Sequence, residues 1–359
     1  MRGRLLGLLG WHRLHRLIGG FTGGTLAQGC GQHFTKLNSI GVLLISALVL
    51  PASAQSWLVS MAPEPLKITV RDGKLGSEIL LDAQLLAPAA SHPWQTVVLP
   101  SNCSGRDDQF WSLMAPTLVQ RGFAVVLLDS FTPRGFPSVC MDQRQMWQEA
   151  RVADVIAVLK ALRRDPRIDS ARIALGGHST GAVTSFMASF VQAADVAKTE
   201  AIAYTAYFAV GAACDLTFKN PTLFGPLLLI SGEMDDYTFA EPCQAEARRL
   251  QGAGAQVTMQ MIKGANHNMS TSGWVYNPSV QRMPKDIPRM YMQRRDEKGV
   301  LHLELDDGRS VTAADMMKAY GGFLLSKTRG GTIGGNWDQF PQVDSAILEH
   351  LERAGFRAR

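Results

Sequence analysis

The residues best suited to chemistry are a serine, a pair of aspartates and a histidine, each placed just after an apolar run. Ser179 stands in "IALGGHSTGA", where Gly177, His178, Ser179, Thr180 and Gly181 form the pattern G-x-S-x-G. A serine hydroxyl is a weak nucleophile until a base takes its proton, an acid orients that base and donors await the developing oxyanion. A sharp turn from strand to helix would expose the hydroxyl and leave no room two residues away on either side, which is a physical reason for Gly177 and Gly181. The helix starting behind the serine adds its positive dipole end. The acid is expected in "LLLISGEMDDY", which offers Asp235 and Asp236, and the base in "MQMIKGANHNM", which offers His267. Asp235 is the preferred acid, because a turn three residues past Gly232 aims it toward the histidine. His178 is not expected to be the base, since the turn points it away from its neighbour Ser179.

Those residues need elements to carry them. Strands are expected at Lys67–Arg71, Ser77–Pro88, "QTVVLP", "FAVVLLD", "RIALGG", Ala201–Val210, Pro226–Ser231 and Gln256–Ile262. Between them the spacing predicts helices at Gln109–Gln120, at Val152–Leu162 with its three- and four-residue apolar steps, at "GAVTSFMASFVQAA" and at Glu241–Gln251. "QVDSAILEHLERAGF" reads as a closing helix. The alternation implies a mostly parallel sheet with helices on both faces. Ser179, Asp235 and His267 each fall past the C-terminal end of an expected strand, and their chain order is that of the α/β-hydrolase fold, unlike the orders of chymotrypsin and subtilisin. The oxyanion donors should then be the backbone N–H of Thr180 and one from the loop after "QTVVLP", at Cys103 or its neighbour Asn102.

From about Val97 to His267 the chain resembles the dienelactone hydrolase-like branch of the α/β hydrolases, through "SNCSG", "LLDSFTPRGFPSVC", "GGHSTGA", "GEMDDYTFAEPC" and "GANHNM". Carried over by position, the resemblance implies Ser179, Asp235 and His267 as the triad and Cys103 and Thr180 as the oxyanion donors. The family's loop often begins His-Gly where this chain has Ser101-Asn102, and its namesakes use a cysteine nucleophile where this chain has serine. The expectation therefore moves from dienelactones to ordinary carboxylic esters, cleaved through an acyl-enzyme. The rival readings are a peptidase or amidase on the same framework, and a binding protein that no longer turns over.

Composition narrows the partners. The chain of 359 residues carries 36 Lys and Arg against 31 Asp and Glu. The surplus lies in the first 54 residues, where Arg2, Arg4, Arg13, Arg16 and Lys36 meet no acid. The remainder is formally neutral, which argues against a nucleic-acid partner. After Lys36 come the apolar run "IGVLLISALVL" and Ala52-Ser53-Ala54, so residues 1–54 read as an export leader, and the protein as periplasmic or secreted with no stable membrane insertion. The run is too short to span a bilayer as a helix.

Beyond the leader stand Cys103, Cys140, Cys214 and Cys243, which allow three pairings. Cys103 with Cys140 and Cys214 with Cys243 are favoured, because each pair follows neighbouring expected strands at the same end of the sheet. No cysteine or histidine spacing resembles a metal site, and no metal or organic cofactor is expected. The substrate is expected to be a small-molecule ester. Met259, Met261, Met269, Met283, Met290 and Met292 read as core and pocket wall. Asp129 and Arg134 are expected to pair with each other or line the site. Residues 55–359 form one domain in this reading, with a late insertion around 269–310 and a hairpin at Glu297–Gly299.

Overall fold

The computed structural model describes residues 62–72, 76–145, 148–269, 273–282, 289–293, 295–315, 329–335 and 338–358. The expected leader and Met283 lie outside the described residues. The described chain opens with β1 (Glu64–Leu66), the paired β2 (Thr69–Arg71) and β3 (Glu78–Leu80), then β4 (Asp82–Leu86) and β5 (Trp94–Pro100). Helix α1 (Gln109–Gln120) leads to β6 (Ala124–Asp129), α2 (Gln148–Leu162), β7 (Ile168–His178), α3 (Thr180–Ala188), α4 (Ala193–Ala197) and β8 (Ala206–Val210). After β9 (Leu216–Thr217) come β10 (Leu227–Gly232), α5 (Ala240–Gly252) and β11 (Val257–Ile262). The last part holds β12 (Gly273–Gln281), β13 (Met290–Met292), β14 (His302–Leu305), β15 (Ser310–Thr312), β16 (Arg329–Gly335) and α6 (Phe340–Arg353).

Eight strands form one sheet in the order β1-β4-β6-β5-β7-β8-β10-β11. From β6 onward every neighbouring pair is parallel, while β1 and β4 run antiparallel at one edge. Successive strand residues point to opposite faces. Val97 and Leu99 of β5 accordingly join one core with Met114 and Leu118 of α1 and Ile347 and Leu351 of α6. Val98 joins the other, with Leu159 of α2, Phe186 of α3 and Leu250 of α5. A strand buried on both faces favours apolar residues at successive positions, which is why Val97–Pro100, Ala124–Leu128 and Leu227–Ile230 in β5, β6 and β10 show no alternation in sequence. This is the α/β-hydrolase fold, with the C-terminal ends of β5, β7, β10 and β11 gathered at one edge.

Some expected elements divide. Ser77–Pro88 breaks at Leu81, whose N–H donates to the Ile68 carbonyl, so β3 pairs only with β2 while β4 joins the main sheet. The expected helix from Gly181 stops at Ala188, because Phe190 bridges to Leu223 and Val191 donates to the Thr222 carbonyl. The strand expected from Ala201 begins only at Ala206. Beyond His267, β13 and β14 form an antiparallel pair whose turn is closed by the Asp296 carboxylate, which accepts from the N–H groups of Lys298 and Val300. They extend into a sheet ordered β15-β14-β13-β9, and β12 pairs separately with β16. Strands outside the main sheet therefore continue to Gly335, past the expected end of the insertion. Among the described residues, no helix is long and apolar enough to cross a membrane.

Candidate active site

Strand β7 ends at His178 and helix α3 begins at Thr180, leaving Ser179 alone in the turn with φ 55° and ψ −122°. A side-chain-bearing residue at positive φ is strained, and such strain marks a position that the surroundings over-determine. Here the Ser179 N–H donates to the Val210 carbonyl at 2.9 Å, and the Ser179 carbonyl accepts from Val183 in α3 at 2.9 Å. The two glycines answer to space. A Cβ on Gly177 would lie 2.8 Å from the Gly181 carbonyl carbon, and a Cβ on Gly181 would lie 2.2 Å from the Pro100 carbonyl oxygen.

Strands β10 and β11 lie in parallel register up to Gly232 opposite Ile262, so their following loops run side by side. Met234 donates to the Ala265 carbonyl at 2.8 Å, and a Cβ on Gly232 would approach that oxygen to 2.4 Å. The loops thereby bring Asp235 against His267. His267 Nδ1 lies 2.9 Å from Asp235 Oδ2, and His267 Nε2 lies 2.9 Å from Ser179 Oγ. All three residues are buried. Burial pushes the Asp235 carboxyl up, but the facing His267 and the N–H groups of Thr238 and Tyr237 outweigh it and hold the carboxyl below its ordinary range. A carboxylate so held can fix the Nδ1–H tautomer and leave Nε2 able to accept the serine proton. Asp236 faces elsewhere. Its carboxylate accepts from Thr332 N at 2.7 Å and Thr332 Oγ1 at 2.9 Å, tying β16 to the loop.

Past β5, the backbone N–H groups are divided among distinct partners. Asn102 donates to Asp108 Oδ2 at 2.7 Å, and Ser104 donates to Asn102 Oδ1 at 2.8 Å. Among the described residues, the N–H of Cys103 between them has no acceptor, and neither has that of Thr180 at the first position of α3. Cys103, His178, Ser179, Tyr237 and His267 line one cavity of about 180 Å³. Cys103 and Cys140 form a disulfide at its wall, and a second disulfide joins Cys214 to Cys243 in α5. A separate cavity of about 180 Å³ is mostly apolar, walled by Val152, Met187, Met290, Met292 and Leu303 among others, with Gln143, Gln148 and Glu149 also in its lining. It holds neither the serine nor the histidine.

A family model described as the dienelactone hydrolase family matches residues 81–280, more than half of the chain. The chain belongs to that family. No curated protein matches it. Among solved structures, similarity extends to the dipeptidyl peptidase 4 of Porphyromonas gingivalis, at 18% identity over 60% of this chain and 34% of that one, with a TM-score of 0.42. The chain thus spans about a third of that peptidase's length. Esterase 2 of Thermogutta terrifontis with bound propionate matches at 14% identity over 58% of this chain and 85% of that one, with a TM-score of 0.45. The dienelactone hydrolase of Anabaena variabilis matches at 20% identity over 57% and 88%, with a TM-score of 0.42.

In this dienelactone hydrolase family member, several neighbours of the site carry no signal in the sequence. The Thr238 hydroxyl lies 2.9 Å from Asp235 Oδ2, 2.9 Å from His267 Nδ1 and 3.1 Å from the Gly211 carbonyl oxygen. The Tyr237 ring tilts over His267 at 4.5 Å, and its hydroxyl, pushed up to about 12 by burial, accepts from Gln143 at 3.2 Å. His178 sits between the rings of Phe110 and His267, with Nε2 3.0 Å from the His267 carbonyl oxygen. Burial foremost, then the nearby His267, depress it to about 3. It is therefore neutral and donates from Nε2 to the backbone of the His267 loop. Asp108 caps α1 through Phe110 N at 2.9 Å and also holds both Asn102 nitrogens; burial pushes its carboxyl up to about 7 despite these donors. Asp129 and Arg134 do not pair with each other. Asp129 accepts from Phe131 N at 2.8 Å, while Arg134 binds Asp154 through two nitrogens at 2.8 and 2.9 Å and also pairs with Asp72, because all three are buried and each charge needs a near partner.

Proposed function

We propose that this hydrolase cleaves carboxylic esters through a serine nucleophile and an acyl-enzyme. The observation that carries the reading is the unbroken hydrogen-bonded chain from Ser179 Oγ through His267 to Asp235, with both contacts at 2.9 Å. Ser179 Oγ attacks the ester carbonyl while His267 Nε2 takes its proton. Asp235 keeps Nδ1 protonated and stabilises the imidazolium that forms. The N–H groups of Cys103 and Thr180, which have no competing acceptor among the described residues, receive the oxyanion. His267 then returns the proton to the departing alcohol. Water, activated by the same imidazole, releases the acid and restores Ser179.

The two disulfides fit an oxidising compartment, and with the basic and apolar leader they support export to the periplasm or beyond. A fluorophosphonate probe followed by peptide mapping tests the mechanism. Labelling is expected at Ser179 and is expected to vanish in His267→Ala. A folded protein that takes no label would sink the reading. Rates on aryl acetates against the matching anilides test the choice of ester over amide, and an ester-to-amide preference below tenfold would overturn it.

A further inference from the structure

The donor at Cys103 is held through its own side chain. The residue supplies three attachments: its Sγ is bonded to Cys140, and its carbonyl accepts from Val139 N at 2.8 Å and from Ser138 Oγ at 3.1 Å. Ser104 Oγ adds a contact of 3.6 Å to Cys140 Sγ. The partner segment also packs through Val139 in a small core with Cys103 and Phe131. Its other backbone bonds among the described residues are short-range: Phe136 N to the Phe131 carbonyl at 3.1 Å, Asp142 N to the Val139 carbonyl at 3.1 Å and Gln145 N to the Asp142 carbonyl at 3.4 Å. Cys103 and Cys140 both line the cavity that contains Ser179.

We propose that the Cys103–Cys140 disulfide is a positioning element for the second oxyanion donor, and that a dithiol which opens it converts the hydrolase into a form that binds ester but turns it over slowly. The proposal rests on the reading of Ser179 as nucleophile. Its physical basis is that an oxyanion donor acts only if it is fixed before charge develops. The bond holds the two Cα atoms 4.8 Å apart, one residue from Asn102, whose own N–H is already committed to Asp108. Without the bond, Cys103 keeps the hydrogen bonds from Val139 N and Ser138 Oγ to its carbonyl and that from Gly105 N to the Asn102 carbonyl, but loses the covalent tie that fixes it against Cys140.

The redox step balances with a dithiol as the reductant. One thiolate attacks the Sγ of Cys140, the more exposed of the two residues, and the S–S bond breaks with Cys103 leaving as a thiolate that takes up a proton. The second thiol of the reductant attacks the mixed disulfide, forming a cyclic disulfide and freeing the Cys140 thiol. Cys214 and Cys243 are fully buried, so the active-site bond is the one exposed to mild reductant.

The test uses the full protein and an aryl acetate. Turnover is measured before and after mild dithiothreitol, free thiols are mapped by alkylation of parallel samples, and folding is followed by near-ultraviolet circular dichroism. The kcat of the reduced protein is expected to fall 10- to 100-fold with KM within threefold, and to recover on reoxidation. Complete loss of one oxyanion donor costs about 10²–10³-fold, which bounds the effect. Cys140→Ser should match the reduced protein and show no recovery. The double variant Cys214→Ser with Cys243→Ser should retain kcat within threefold. Reduced protein or Cys140→Ser with kcat within twofold of the oxidised form overturns the proposal. So does an equal loss in the double variant, or a loss of kcat that coincides with loss of the folded signal. Failure of the underlying reading looks different: oxidised wild type would then neither take the phosphonate at Ser179 nor turn over.

Discussion

At Gly181 the turn that carries Ser179 meets the end of β5, so Gly181→Ala probes how tightly the proposed nucleophile depends on the proposed oxyanion loop. The added Cβ would stand 2.2 Å from the Pro100 carbonyl oxygen and 3.0 Å from that of Ser101. To reach an ordinary contact, the end of β5 must retreat by roughly 1 Å. That strand end leads directly into the Cys103 peptide, while Gly181 follows Ser179 and Thr180 in α3. The displacement therefore opens the gap between Ser179 and the Cys103 N–H, the proposed nucleophile and donor. A shift of about 1 Å in reacting geometry costs about 10²-fold, or roughly 2.7 kcal/mol in the barrier. Overpacking should cost a further ~1–3 kcal/mol in stability. The assay is steady-state hydrolysis of an aryl acetate beside thermal unfolding. Gly176→Ala supplies the comparison, since its Cβ would fall 2.1 Å from a ring atom of Phe208 in the core. That variant should lose stability yet keep kcat within a few fold while folded. Gly181→Ala with kcat within threefold of wild type, or Gly176→Ala with an equal loss of kcat, would refute the reasoning.

Asp235→Asn should lower kcat about 10⁴-fold by removing the acceptor that sets the histidine tautomer, whereas Asp236→Asn should leave kcat within threefold and cost about 1 kcal/mol through its Thr332 contacts; kinetics showing the reverse order would exchange the two roles. Thr238→Val keeps the shape but removes the hydroxyl beside Asp235 Oδ2 and His267 Nδ1, so kcat should fall about fivefold at unchanged KM, and Thr238→Ser should restore it. His178 is depressed to about 3 in the folded protein, so the native state holds it neutral while the unfolded chain protonates it below about 6.5. Stability is thus present above about pH 6.5 and is lost as pH falls toward 3, by up to ~1.4 kcal/mol per pH unit from this group. His178→Phe should show a smaller drop in Tm between pH 7 and pH 5 than wild type, and an unchanged drop would contradict this origin.

Much of the scaffold was legible because burial on both faces leaves a strong trace. Strands β5, β6 and β10 are built on the short apolar runs Val97–Pro100, Ala124–Leu128 and Leu227–Ile230, and α1 has the predicted bounds Gln109–Gln120. Elements whose ends depend on distant partners were less legible. The break at Leu81 follows from a bond to Ile68, and the end of α3 from contacts of Phe190 and Val191 with Leu223 and Thr222. The sheet built from β9 with β13 to β15 joins segments far apart in the chain, and local periodicity carries no record of such pairing.

The sequence by itself determined the residue types, their order and the space around the turn: a serine between glycines, an acidic pair after one strand and a histidine after the next. Only the tertiary structure decided which aspartate meets the histidine. Asp235 and Asp236 are chemically identical and adjacent, and they part because a tight turn sends one toward His267 and the other toward Thr332 in β16. The same holds for Thr238, Tyr237, His178 and Asp108. Their side chains are ordinary in composition and spacing, and acquire their place at the site only when parallel strands bring their loops to one edge of the sheet.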